Sequence, residues 1–236
     1  TLLARNTQLD EQPLFNQSYF QKSPFELTID HANGVRYIRV TKYGEVRLSA
    51  RIFCAGTDPL STCHPVGQHG WLYTQKLTTL GCEGYFINKK SQAIQFDAKT
   101  FASLDDTCGF FKAETTWFWL SCNFWWQDQH RVGLNLSQGE QPSTDNSIWL
   151  DGVLYAVGEV VFEPLDEENW HVYSQDGRLN IRIETHWTRS EKINFRFSGS
   201  QFKQWQSKLT GQIKVNDQVI DLNAEYGIFE QHARKL

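Results

Sequence analysis

The sequence predicts a nearly all-β protein built from antiparallel hairpins and closed as a barrel or sandwich. Three observations carry this. Apolar and polar residues alternate with period two, as in Leu179, Ile181 and Ile183 against Asn180, Arg182 and Glu184, and again in Ile193, Phe195 and Phe197 against Asn194 and Arg196. Turn pairs recur at Asn33-Gly34, Asp151-Gly152, Asp176-Gly177 and Asn216-Asp217, supplying the positive φ that tight hairpins require. No long stretch keeps a 3.6-residue pattern, so no helix longer than about three turns is expected.

Along the chain, about six strand candidates lie between Phe25 and Phe96 and roughly nine between Thr115 and the end, enough for a complete barrel. The segment from Lys99 to Glu114 (KTFASLDDTCGFFKAE) breaks the alternation and reads as a connector. Two barrels or half-barrels are therefore expected, over residues 1–110 and 111–236. The most unusual element is TTWFWLSCNFWW, Thr115 to Trp126, with four tryptophans and two phenylalanines. Read as a strand, one face carries Trp117, Trp119, Ser121, Asn123 and Trp125, and the other Phe118, Leu120, Cys122, Phe124 and Trp126. The second face suits a dry layer, expected between the two barrels. The first mixes large aromatics with small polar groups, as the walls of small-molecule cavities do.

Composition bounds the function. The chain has 236 residues, 40% hydrophobic and 21% charged, which is globular. A net charge of -4 and a pI near 6.0 argue against a nucleic-acid partner. The acidic run Glu163 to Glu168 reads as a solvated loop. No signal peptide or transmembrane segment is visible; the aromatic run is too short to span a bilayer and stops at Gln127. Methionine is absent and the chain starts at Thr1, so further sequence is expected before it. The five cysteines, Cys54, Cys63, Cys82, Cys108 and Cys122, form neither a disulfide framework nor a standard zinc spacing, which points to a reducing, cytoplasmic setting. Cys122 reads as a small buried hydrophobe. The sequons at Asn16 and Asn135 are short enough to arise by chance.

No GxSxG, HExxH, P-loop or GxGxxG motif is present, so no cofactor or metal is expected. Cys63, His64 and His69 (CHPVGQH) read as a polar loop, their spacing matching no standard metal site. Of the adjacent acids Asp105 and Asp106, one at most faces a given pocket. Asp105 is a candidate general acid if it lies beside the tryptophans, and a turn-capping acid otherwise. Glu230 and His232 share a strand face, either as a carboxylate–imidazole pair for catalysis or as a pair holding the terminal strand. Asn135, an amide between apolar neighbours, must find a partner in the fold or in a ligand. Tyr73 and Lys76 lie on opposite faces of one strand; Tyr73 is the candidate cavity residue and Lys76 reads as surface.

The succession WLYTQK…GCEGYF, FASLDDTCGFF…TTWFWLS, VGLNLSQG, SIWLDG, VVFE, WHVYSQDG, KLTGQIKV and GIFEQHA resembles the bacterial domain of unknown function 2804 family. That family is related in fold to carotenoid 1,2-hydratase, AttH-like proteins and tocopherol cyclase. The resemblance covers Arg36 to the C-terminus and implies two tandem lipocalin-like antiparallel β-barrels, the first incomplete. The family pattern has an aspartate, then a tryptophan, then an arginine before a glycine. Here Asp105 and Gly109 match, while Asp106 and Cys108 replace the tryptophan and arginine, so Asp105 must find another cation or stay protonated. The resemblance brings no established activity. The leading expectation is binding of a hydrophobic small molecule, a lipid or isoprenoid, in a cavity lined by Trp117, Trp119, Trp125, Asn135 and Tyr73. Alternatives are a metal-independent hydratase or cyclase acting on an isoprenoid alkene through Asp105, or Glu230 with His232, a carbohydrate-binding module, and a purely structural β domain.

Overall fold

A computed structural model describes residues 5–8, 17–110, 112, 114–139, 144–194 and 199–235. The protein is all-β, with 77% of the described residues in strands and no helix among them. The strands are β1 (Arg5–Gln8), β2 (Gln17–Lys22), β3 (Phe25–Ala32), β4 (Val35–Lys42), β5 (Glu45–Phe53), β6 (Leu60–Val66), β7 (Gly70–Ile87), β8 (Ala93–Phe96) and β9 (Phe101–Gly109). They continue as β10 (Glu114–Trp126), β11 (His130–Gly139), β12 (Ser147–Leu150), β13 (Val153–Ala156), β14 (Val160–Pro164), β15 (Asn169–Ser174), β16 (Leu179–Asn194), β17 (Gly199–Val215) and β18 (Gln218–Lys235). The turn pairs sit where hairpins need them: Asn33 and Gly34, and Asp151 and Gly152, all have positive φ.

The segment expected to be a connector holds a strand instead. β9 pairs with β7. Its sequence, FASLDDTCG, is polar and mostly exposed, with Leu104 its one buried apolar side chain. Backbone pairing, the buried Leu104 and polar contacts to β7 hold it, signals that hydrophobic alternation does not carry.

Two compact units form. One comprises Thr1–Thr57 and Leu80–Ser103, the other Asp58–Thr79 and Leu104–Leu236. This division differs from a cut after residue 110, because the segment from Asp58 to Thr79 packs with the C-terminal residues. In the first unit β1 pairs with β2, β2 to β5 follow one another by hairpins, β5 pairs with the later half of β7, and β8 lies on the other side of that half. This sheet is open. Ala50, Ile52, Leu80 and Cys82 are its buried apolar residues.

In the second unit β6 pairs with the first half of β7, Leu60 facing Lys76. A nine-stranded antiparallel sheet runs in the order β13-β12-β11-β10-β18-β17-β16-β15-β14. It curls until β14 reaches β11: the Phe162 N–H donates to Gln138 Oε1 at 2.7 Å. The curl encloses a core in which Leu120, Leu134, Leu136, Ile181, Leu209 and Phe229 are fully buried. Phe229 stacks on Phe162 and on Trp205, with ring centroids at 5.7 and 5.1 Å. Phe118 joins the same aromatic group, 5.8 Å from Phe162.

Two expectations are corrected here. Phe118, Leu120, Cys122 and Phe124 do form a dry layer, but that layer is the interior of the curled sheet itself. That interior is filled with side chains, so a Trp-lined cavity inside this barrel is not what the tryptophans provide.

Candidate functional site

Period two along β10 puts Trp117 and Trp119 on the side away from the core, and register places their neighbours. Trp119 stands opposite Glu230 of β18 and Ser137 of β11; Trp117 stands opposite His232. On β17, Gln204 faces Glu230 and Phe202 faces His232. Four adjacent strands therefore direct one aromatic–polar face outward from the sheet. Its centre holds Trp117, Trp119, Glu230 and His232, all half-buried.

Lys76 of β7 sits at one side of this face. Its ammonium donates to Asn135 Oδ1 at 3.1 Å and lies 3.3 Å from Asp105 and 3.4 Å from Asp145. It also sits 5.5 Å above the Trp119 ring. The Trp119 indole N–H donates to the same Asn135 Oδ1 at 2.8 Å, and Asn135 Nδ2 donates to the Asp145 carbonyl at 2.7 Å. Ser137 Oγ donates to Asp145 Oδ1 at 2.6 Å. Lys76 is only 8% exposed, and a cation so buried needs paired anions to stay charged. The surface reading of Lys76 is therefore corrected: it is the buried centre of a network joining β7, β9, β11 and the segment before β12.

Asp105 has found its cation in Lys76. Its side chain is 42% exposed, so it sits at the wet edge of the face. Burial pushes the Glu230 carboxyl above the ordinary carboxylate range, and Asp105 reinforces this; the Gln204 amide, which donates to Oε1, and the charges of Lys76 and Arg189 pull the other way and do not cancel it. His232 is displaced oppositely. Burial, and then the Arg234 charge, hold its imidazole below the usual histidine range. Its Nε2 is hydrogen-bonded to Ser200 Oγ at 2.8 Å, and its ring lies 4.3 Å from Trp117 and 5.4 Å from Phe202. Glu230 and His232 share a face of β18 as expected, but each takes its hydrogen bond from β17.

Of the residues singled out in the sequence, the structure brings together Asp105, Trp117, Trp119, Asn135, Glu230 and His232. The Asn135 carbonyl oxygen is fully used, accepting from Lys76 and Trp119, which makes this residue a support for the face. Trp125 is half-buried opposite Arg131, about 20 Å along the strand from Trp119, and lies outside the cluster. Tyr73 is outside it too. It lies on the other face of β7 from Lys76, where its hydroxyl accepts from Gln75 Nε2 at 3.1 Å. Sequence reasoning missed Gln204, Ser200 and Asp145. The first two lie on the wet side of β17, the side away from the core residue Trp205, which is the only signal they carry.

Cys122 lies in the core, where burial pushes its thiol well above the usual range; the other four cysteines are free as well. No group of three or more potential metal ligands occurs among the described residues. No helix there is long and apolar enough to cross a membrane.

The family model described as "Domain of unknown function (DUF2804)" matches residues 1–236. Curated protein sequences give no match. Among solved structures, kievitone hydratase from Nectria haematococca aligns with 92% of this chain and 84% of its own, at 10% identity and a TM-score of 0.47. CghA in complex with Sch210972 aligns with 91% of this chain and 85% of its own, at 8% identity and a TM-score of 0.39. A second CghA structure gives 93% and 74%, at 7% identity and the same TM-score.

Proposed function

Because the chain belongs to the DUF2804 family, whose description supplies no activity, we propose a function from the site itself: the protein binds a hydrophobic small molecule, of lipid or isoprenoid character, against Trp117 and Trp119. The observation that carries this is the half-burial of a contiguous aromatic group, Trp117, Trp119, Phe202 and His232, on the side of the sheet away from its packed core. Large aromatic faces next to a few fixed polar atoms are what small-molecule sites offer. The ligand rests on the aromatic face of the sheet, and the filled barrel takes no part in binding.

A second reading is favoured by a specific observation. Glu230 and His232 stand two positions apart on one face, and their surroundings displace their titrations in opposite directions. Burial favours the uncharged form of each, a carboxylic acid beside a neutral imidazole, and such a pair can give and take a proton. In this reading Glu230, rather than Asp105, is the carboxylic acid. Its proton adds to one carbon of an isoprenoid alkene, the tryptophan faces stabilise the cation formed at the other, and water or a ligand hydroxyl closes the bond while giving its proton to neutral His232.

The test uses tryptophan fluorescence and product analysis together. Farnesol, geranylgeraniol and oleic acid are titrated into the protein, and quenching is compared with that of Trp117→Leu. Saturable quenching that weakens at least tenfold in the variant supports binding at this face. Equal quenching in both refutes it. The same alcohols are then incubated with parent, Glu230→Gln and Asp105→Asn proteins. Hydrated or cyclised product that disappears with Glu230→Gln and persists with Asp105→Asn supports the enzymatic reading; loss with Asp105→Asn alone overturns the assignment of Glu230.

A further inference from the structure

We propose that Gln204 is the positioning residue of this site, holding Glu230 so that the neutral acid carries its proton on Oε2. The inference rests on the reading of Glu230 as the site's acid. Gln204 stands directly opposite Glu230 in the β17–β18 register, and its side-chain amide donates to Glu230 Oε1. On this side of β17, Ser200, Phe202 and Gln204 are half-buried, whereas Gln206, the next position on that face, is exposed. Neighbours thus restrict the Gln204 side chain, as they do not restrict that of Gln206.

The chemistry follows from the amide. An amide N–H only donates, and in a neutral carboxylic acid the oxygen that accepts such a bond is the carbonyl-like one. The proton is then left to the other oxygen. Without the amide, the two oxygens exchange roles freely and the acid has no preferred direction. Because the donor is uncharged, it orients the carboxyl with far less bias toward the ionised form than a lysine or arginine at the same position would impose. The charged and titratable groups around Glu230 are Lys76 from β7, Asp105 from β9, Arg189 from β16 and His232 on β18 itself. They set the field at the carboxyl; Gln204 sets its orientation.

The experiment is a carbon-13 NMR titration of the full chain labelled at the glutamate side-chain carboxyl. The Glu230 signal is assigned by its loss in Glu230→Gln. Gln204→Leu and Gln204→Met keep the size of the side chain and remove the donor. Both should move the Glu230 midpoint to higher pH, because the lost bond favours the carboxylate, and both should leave the melting temperature close to the parent's. An unmoved midpoint overturns the proposal, as does a lowered melting temperature with no change in midpoint, which marks a purely structural role. The reading does not depend on turnover. If the midpoint moves and no alkene is ever converted, Gln204 still positions the carboxyl and the enzymatic reading of Glu230 is what fails.

Discussion

Replacing Lys76 with methionine tests the network most directly. Methionine keeps the length and apolar stem of the side chain and removes the charge. What is lost is one hydrogen bond to Asn135 at 3.1 Å, two ion pairs at 3.3 and 3.4 Å, and a cation over Trp119. Removing one partner of a fully buried pair costs about 3–5 kcal/mol. The two carboxylates here are not fully buried: Asp105 is 42% exposed and Asp145 19%. Asp105 can therefore be rehydrated, and its pair counts as little more than a surface one, about 0–1 kcal/mol. The remaining cost is the uncompensated Asp145, together with the Asn135 oxygen reduced to a single donor. We expect a net loss of about 2–3 kcal/mol. Urea unfolding followed by intrinsic fluorescence measures it. The loss should shrink when Asp145→Asn is combined with Lys76→Met, since the carboxylate left without its lysine is then gone. It should also change little between low salt and about 0.5 M salt, because buried charges are poorly screened. A variant within about 0.5 kcal/mol of the parent, or a loss abolished by salt, would show that Lys76 is solvated and the network unimportant.

Three further outcomes follow from the packing and the titrations. Phe229→Ala empties the centre of the aromatic core and should cost about 3–5 kcal/mol in the same assay, while Trp117→Ala, at a half-buried position on the opposite face, should cost clearly less. Gly133→Ala in β11 sets a methyl group against the Thr78 and Thr79 side chains and should cost about 1–3 kcal/mol, with a normal unfolding slope. Glu230 holds its proton to higher pH in the folded chain than in the unfolded one, so its contribution is most favourable below the ordinary glutamate range and declines as pH rises through the folded titration. Glu230→Gln should therefore unfold much like the parent near about pH 3 but be the more stable of the two at neutral pH; a difference that grows toward acid would reverse the sign of the argument.

The strands were legible where one face is dry. Leu179, Ile181 and Ile183 alternate with polar residues and are all buried, and the nine strands from Glu114 onward match the number expected. The two faces of β10 were separable on the same ground. β9 was not legible, because neither of its faces is apolar enough to imprint a period. The site was half legible. Trp117, Trp119, Glu230 and His232 announce themselves by residue type and spacing on single strands. Lys76 does not: a lysine is almost always exposed, and the partner that shows otherwise, Asn135, lies 59 residues away. The cavity expected inside the barrel failed for a related reason. Alternation shows that a face is buried but not whether the space it meets is empty, and here large side chains from opposite strands fill it.

That packing has a consequence for how the protein tolerates change. The core and the aromatic–polar face are the even and odd positions of one strand, β10. Substitutions at 117 and 119 alter the outer face without opening a void in the core, and substitutions at 118, 120 and 122 act on the packed interior and leave the side chains of that face in place. An insertion or deletion of one residue in β10 does neither. It exchanges the two sets, driving tryptophans into a space shaped for Leu120 and Cys122 and turning those residues outward. Divergence at this strand is therefore open to point mutation and closed to changes in length, so chain length between Glu114 and Trp126 should vary less among related sequences than the residues at 117 and 119.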